Sequence, residues 1–275
     1  MVLGLNGIIG WNLFKAARRE TEAYGTYRRL HSGLDLTRCH RIDLHDIEAF
    51  TALLKEIKPD YLIHAWAMCD LDVCEEEPGI AQRVNVEGTL AIVQAAAASG
   101  CIRKLIYIST DHVFDGLQGS YSEKDPPCPL HVYGRTKTEA EAVVKQSGLP
   151  WMIIRPGLVI GESLQGSKGP RDFLMKRIVL GKPTHYFTDE FRSPVRGCDF
   201  ARAALALSLS PEEGIFHIAG KGVFSRYNLA RKIAWENRLP VDMIFPRMRK
   251  QDRWASIRPE HLTLSSGRIP LLAFL

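Results

Sequence analysis

Short apolar runs alternate with amphipathic helical stretches through the first half of the chain, the pattern of a parallel, doubly wound α/β sheet. Val2 and Leu3 form the stub of a first strand. A helix follows from Ile8 to about Glu20, with Leu13, Ala16 and Ala17 on one face. Ala23 to Tyr27 predicts a second strand and His40 to Ile42 part of a third. Asp46 caps a helix that runs to about Ile57 and is stopped by Pro59. Tyr61 to Ala65 reads as a buried strand from its continuous apolar character. A long helix is expected after Pro78, through Ala81, Val84, Ala91 and Val93 to Ser99, where Gly100 ends it. Lys104 to Ser109 predicts a central strand, Val132 to Lys145 a helix and Trp151 to Ile154 another strand. Beyond Arg155 the pattern loosens into loops such as Gly166 to Pro170, with helices expected at Cys198 to Leu209 and Tyr227 to Asn237. No internal repeat interrupts this order.

Composition narrows the class without fixing a function. A chain of 275 residues with 45% hydrophobic content is long enough to bury roughly three quarters of its unfolded surface. The net charge of +5 is weaker than a nucleic-acid binder concentrates, so no nucleic-acid partner is expected. Small polyanions such as nucleotides suit it better. Cys39, Cys69, Cys74, Cys101, Cys128 and Cys198 form no CxxC pair, which predicts free thiols in a reducing cytoplasm. The nine histidines show no metal-ligand spacing, and no metal site is expected. No apolar run approaches a membrane span. The opening segment Val2 to Ile9 lacks a basic flank and carries Asn6, so it does not read as a signal sequence.

Gly4, Gly7 and Gly10 stand as GxxGxxG between the strand stub and the first helix. Glycine is needed there because the backbone turns tightly and a pyrophosphate must approach the helix N-terminus. The reading is a Rossmann-type dinucleotide site in which Asn6, Ile8 and Ile9 of the same turn also face the cofactor. Only three residues precede Gly4, against about five or six in a typical strand. Either the strand starts upstream or its edge is clipped at some cost in cofactor affinity. After Tyr27 come Arg28 and Arg29 where an NAD-binding carboxylate would stand. Arginine holds a 2′-phosphate bidentately, which favours NADP(H) while leaving NAD(H) open.

Tyr133 and Lys137 form YxxxK, placing both side chains on one helical face. Ser109 and Thr110 end an apolar strand, where open α/β sheets bind their ligands. Together they suggest hydride-transfer chemistry with a tyrosine proton donor. Bringing a phenol from 10 to about 7 takes roughly 4 kcal/mol of differential stabilisation. Lys137 and a positive nicotinamide are the groups expected to supply it. Thr110 would orient the substrate carbonyl.

The stretch Tyr107-Ile-Ser-Thr-Asp-His-Val-Phe-Asp-Gly116, with Tyr133-Gly-Arg-Thr-Lys137 and Arg155-Pro156, resembles dTDP-4-dehydrorhamnose reductases and related sugar-nucleotide reductases of the extended short-chain dehydrogenase/reductase superfamily. Weaker echoes lie at Asp43-Leu44, Asn85, Arg192-Ser-Pro194 and Arg258-Pro259, so nearly the whole chain is covered. The resemblance implies Thr110, Tyr133 and Lys137 as the catalytic trio. It also implies the three glycines on the pyrophosphate, Asp43 and Leu44 near the adenine, and Ala65, Trp66 and Ala67 beside the cofactor. Asp111 and His112 would then face the substrate. It predicts a cofactor domain over residues 1–155 and a smaller C-terminal substrate-binding lobe over 156–275, interleaved with the end of the sheet, and is compatible with a homodimer.

The 4,6-dehydratases of this superfamily usually show Thr-Asp-Glu, whose two carboxyls carry out elimination; here His112 stands at the third position, so simple reduction fits better. His112 also stands where these reductases commonly carry tyrosine, and Leu158 where many carry tryptophan. Glu139-Ala140-Glu141 replaces their usual Gly-Glu pair. A dTDP-linked 4-keto-6-deoxy sugar leads, with other nucleotide-linked keto-sugars open. Among Arg247, Arg249, Lys250, Arg253 and Arg258, the Arg-Pro context favours Arg258 for the substrate diphosphate. The alternative from another class is a non-catalytic NADP-binding module like the regulatory β-subunit of methionine adenosyltransferase. That group tends to read Ser-Ser-Asn where this chain has Ser109-Thr110-Asp111.

Overall fold

The computed structural model describes residues 1–29, 37–43 and 46–272. Seven parallel strands form the central sheet, in the spatial order Gly214–Ile218, Trp151–Pro156, Lys104–Ile108, Tyr61–His64, Val2–Leu3, Gly25–Tyr27 and Cys39–Arg41. The chain starts in the middle of the sheet, runs to one edge and then returns to build the other. That reversal creates the crevice where doubly wound sheets bind nucleotides.

Side-chain alternation along the strands divides the core in two. Val2, Ile63, Ile106, Ile108, Met152 and Ile154 pack against the helices Ile8–Glu20 and Gly197–Leu209 through Leu13, Phe14, Phe200 and Ala204. Leu3, Leu62, Leu105, Tyr107 and Ile153 face the opposite way. They meet Phe50 and Leu54 of Ile47–Ile57, Ile92 and Ala96 of Gly88–Ser99, and Ala140 and Val144 of Val132–Lys145. The first strand is only two residues long, yet it pairs on both sides, Val2 with Gly25 and Ile63, and Leu3 with Thr26 and His64. The turn that follows is therefore anchored in spite of the short strand.

The second half adds its own structure beside the sheet. Helices Pro170–Val179 and Arg226–Glu236 share a third core through Leu174, Ile178, Leu229 and Ile233. A small four-stranded sheet combines Phe224–Ser225, Phe191–Arg192, His261–Leu264 and Gly119–Tyr121. It stitches the lobe to the loop after the central strand.

Two expectations need correcting. The stretch from Pro78 to Ser99 is not one α-helix: Pro78–Gln82 and Gly88–Ser99 flank a π-helical segment, Arg83–Glu87, and a further short helix, Leu71–Glu76, precedes them. The Gly- and Pro-rich stretch after Gly166 leads directly into the helix Pro170–Val179. Pro170 occupies its first turn, where a missing N–H costs nothing.

Candidate active site

The glycine turn is built by contact. Gly4 has φ +91°, and a Cβ there would lie 2.9 Å from the backbone of Trp66. A Cβ on Gly10 would lie 2.3 Å from the Gly4 carbonyl oxygen, so helix and turn touch through backbone alone. Gly7 is the N-cap of Ile8–Glu20 and supplies no side-chain acceptor. The first-turn amides of Ile8, Ile9 and Gly10 are thus left for an outside anion, and a Cβ on Gly7 would meet only the Gly4 carbonyl, at 3.7 Å. This arrangement fits a dinucleotide pyrophosphate.

Asn6 is spent on the backbone next door, donating to the Arg29 carbonyl at 2.7 Å and accepting from the Arg28 amide at 3.0 Å. It positions the arginine pair relative to the glycine turn. Arg28 and Arg29 are exposed, and the Arg28 guanidinium lies 3.8 Å from the Asp43 carboxylate. Leu44 lies outside the described residues. Ala65, Trp66 and Ala67 follow the strand Tyr61–His64 at its carboxyl end and are half-buried. Sequence reasoning left Asn85 out of the site, yet it organises this edge. In the π-helical segment, its side chain accepts from the Met68 amide at 2.8 Å and donates to the Met68 carbonyl and the Thr136 hydroxyl, each at 3.0 Å. It ties the cofactor-side loop to the YxxxK helix.

Tyr133 and Lys137 lie one turn apart on the helix Val132–Lys145 and meet the end of the central strand Lys104–Ile108, Tyr133 at Thr110 and Lys137 at Ile108. Lys137 is fully buried and donates to the Ile108 carbonyl at 2.8 Å, with its ammonium 4.0 Å from the centroid of the Tyr107 ring. Burial lowers its pKa to about 7, and the Glu141 carboxylate opposes that shift. Burial raises the Tyr133 phenol well above 10, the Cys69 thiol adds to the rise, and a hydrogen bond with Thr110 works against it. Lys137 is not among the groups that act on the Tyr133 phenol here, and its ammonium faces the Ile108 carbonyl. A phenol that keeps its proton is the form needed to protonate an alkoxide.

On the substrate side, Thr110 donates to Asp111 Oδ1 at 3.2 Å and accepts from the His112 amide at 3.2 Å. Asp111 is buried against Arg192 at 3.4 Å. Desolvation raises its pKa, with Arg192 pulling it back. Arg192 also holds Glu190 at 3.0 Å and faces His112 Nε2 at 3.0 Å. The Arg-Ser-Pro echo thus delivers a buried cation to the site. Arg258 is not free at the cleft: it donates to Asp72 at 2.6 Å and Asp252 at 3.2 Å, bridging the lobe to the helix Leu71–Glu76. Among the described residues no cluster of His, Cys, Asp and Glu suits a metal ion, and no helix is long and apolar enough to cross a membrane.

Comparison with known proteins agrees with this geometry. A probable low-salt glycan biosynthesis reductase from Haloferax volcanii is 31% identical over 236 residues, covering 84% of this chain and 78% of the relative. Methionine adenosyltransferase 2 subunit beta of Rattus norvegicus is 28% identical over 254 residues, 90% of this chain and 74% of that protein. The crystal structure of a hypothetical dTDP-4-dehydrorhamnose reductase from Sulfolobus tokodaii superposes with TM-score 0.78 at 29% identity, covering 98% and 93% of the two chains. The dTDP-4-dehydrorhamnose reductase from Bacillus anthracis, solved in complex with NADP, gives 0.84 at 23% identity over 99% and 94%. The family model described as the RmlD substrate binding domain matches residues 1–273, and the chain belongs to that family, the dTDP-4-dehydrorhamnose reductase branch of the extended short-chain dehydrogenase/reductases.

Proposed function

We propose that the protein reduces the 4-keto group of a nucleotide-linked deoxysugar, with the dTDP-4-keto-6-deoxy sugar of rhamnose synthesis as leading substrate. The observation that carries this reading is the meeting of Thr110, Tyr133 and Lys137 at the end of the central strand, where Lys137 donates to the Ile108 carbonyl at 2.8 Å and Thr110 hydrogen-bonds Tyr133. NADPH supplies a hydride when bound, and NADH is admitted as a second donor. Gly4, Gly7 and Gly10 let the backbone approach its pyrophosphate, while Arg28 and Arg29 suit a 2′-phosphate. Lys137 would hold the ribose hydroxyls. Thr110 orients the sugar carbonyl and Tyr133 delivers its phenolic proton to the oxygen as it becomes an alkoxide. The buried surroundings keep that proton on Tyr133 until the alkoxide develops.

Asp111 and His112 line the sugar side. Arg258 belongs to the substrate lobe, and it would take the diphosphate by exchanging Asp72 for phosphate. The same reading puts the protein in the cytoplasm, where nucleotide sugars are made, and is compatible with a homodimer.

The test follows NADPH oxidation at its nicotinamide absorbance with enzymatically generated dTDP-4-keto-6-deoxy-L-mannose. Turnover is expected, and Tyr133→Phe should remove it while leaving NADPH affinity within about twofold. A second reading, a non-catalytic regulatory module, is favoured by the 28% identity to methionine adenosyltransferase 2 subunit beta over 90% of the chain. Tight NADPH binding without turnover on this or related keto-sugars would select it. Loss of cofactor binding would instead indicate a degenerate reductase.

A further inference from the structure

His131 is an unusual residue to open a helix, since N-caps are mostly Ser, Thr, Asp or Asn. Here its Nδ1 accepts the Gly134 amide at 3.0 Å, satisfying one of the first-turn donors of the helix that bears Tyr133. Its Nε2 lies 2.7 Å from His112 Nδ1, and His112 Nε2 lies 3.0 Å from Arg192 Nη2. The chain of contacts therefore runs from a backbone amide through two imidazoles to a guanidinium. Both ends only donate. Each neutral imidazole brings one proton, so four protons are distributed over three contacts, and one contact must hold two. Adding a proton to either ring worsens the conflict. Burial and the nearby arginines keep both rings neutral, with His131 lowered to about 3.

The surroundings decide which contact gives way. If His131 turned an N–H toward Gly134, a buried first-turn amide would lose its acceptor, because the Glu75 carboxylate that reaches this helix start takes the Val132 amide, at 2.6 Å, and not that of Gly134. Arg192 gives up little by comparison, because Glu190 and Asp111 already accept from it at 3.0 and 3.4 Å. His131 therefore carries its proton on Nε2 and donates it to His112 Nδ1. His112 must then be protonated on Nε2. That N–H and Arg192 Nη2 are two donors 3.0 Å apart, with His112 only half-buried while His131 and Arg192 are buried. The His112 ring also stands beside the Tyr133 ring, their centroids 5.9 Å apart.

We propose that His131 is a positioning residue that fixes the tautomer of His112, so that His112 Nε2–H and Arg192 together clamp one hydrogen-bond-accepting oxygen of the sugar. The inference rests on the sugar-nucleotide reading for the identity of its ligand, though not for the tautomers themselves. A hydroxyl or carbonyl oxygen satisfies both donors, whereas an ammonium substituent at that position brings a third donor and is refused. The site thereby selects oxygen over amino substitution next to the reacting carbon.

The deciding measurement is a long-range proton–nitrogen correlation of the histidine rings in the full-length, ¹⁵N-labelled protein at neutral pH. Nε2–H tautomers are expected for both His112 and His131. His131→Asp offers acceptors to both Gly134 and His112, so His112 should switch to Nδ1–H, and KM for the keto-sugar should rise about tenfold while NADPH affinity holds. His131→Asn, with a carbonyl for Gly134 and an amide for His112, should retain the Nε2–H form. A wild-type His112 protonated on Nδ1, or one whose tautomer ignores His131→Asp, overturns the proposal. Correct tautomers in a protein that turns over no keto-sugar would instead discard the functional reading and leave the relay in place.

Discussion

Removing the Glu141 carboxylate should both destabilise the protein and disable Lys137. Glu141 lies one turn beyond Lys137 on the same helix and is 1% exposed, as is its partner Arg155 on the strand Trp151–Pro156. The pair is bidentate, Arg155 donating through Nε at 2.9 Å and Nη2 at 2.7 Å, and Ser109 donates to the same carboxylate at 2.6 Å. Glu141→Ala would leave a fully buried guanidinium with no anion, a change that costs about 3–5 kcal/mol. At about 2–3 °C per kcal/mol for a domain of this size, the thermal midpoint should fall by roughly 6–15 °C. Because the Glu141 carboxylate supports the Lys137 ammonium, the lysine pKa should also drop below about 7. Activity at neutral pH should then fall beyond what unfolding explains, and recover in part at more acidic pH. Scanning calorimetry with and without NADPH reads the first effect, and a pH–rate profile the second. The double change Glu141→Leu with Arg155→Met should recover much of the midpoint but not the profile. A single variant within about 1 kcal/mol of the parent would refute the argument, because the pair would then not be desolvated.

Four further outcomes follow from the same geometry. Lys137 titrates near 7 folded and 10.5 unfolded, so between those values the unfolded chain binds more protons and stability rises with pH, by up to about 1.4 kcal/mol per unit. Denaturant titrations from pH 7 to 10 in the parent and Lys137→Met should show that rise only in the parent. The kcat/KM of the free enzyme should decline above pH 7 as the ammonium is lost. Gly10→Ala forces a methyl to within 2.3 Å of the Gly4 oxygen, so NADPH affinity measured by fluorescence should drop at least about tenfold as the turn opens. Arg28→Ala should narrow the preference for NADPH over NADH by about tenfold without affecting Tyr133 chemistry, read as the ratio of the two kcat/KM values.

The residues themselves determined the doubly wound sheet, because buried parallel strands and one-sided helices leave unmistakable periods in the sequence. The glycine turn was equally legible, since Gly4 and Gly10 touch neighbouring backbone and only glycine fits. The placement of Thr110 just past the central strand and of Tyr133 and Lys137 on one helix was readable too, from strand end and helical spacing. Local pattern was silent wherever the relevant contact joins distant segments. Asn85 reaches Met68 and Thr136 from a π-turn, 17 and 51 residues away along the chain. Arg192 enters the site from 81 residues beyond Asp111, and Arg258 spends its charge on Asp72 rather than on open solvent. The protonation of Lys137 and Tyr133 was likewise decided only by folding, because it follows from desolvation and from which carbonyl or carboxylate lies within reach. Sequence chose the residue types and their order along the chain, while tertiary packing decided which of them lost water and which partners they found there.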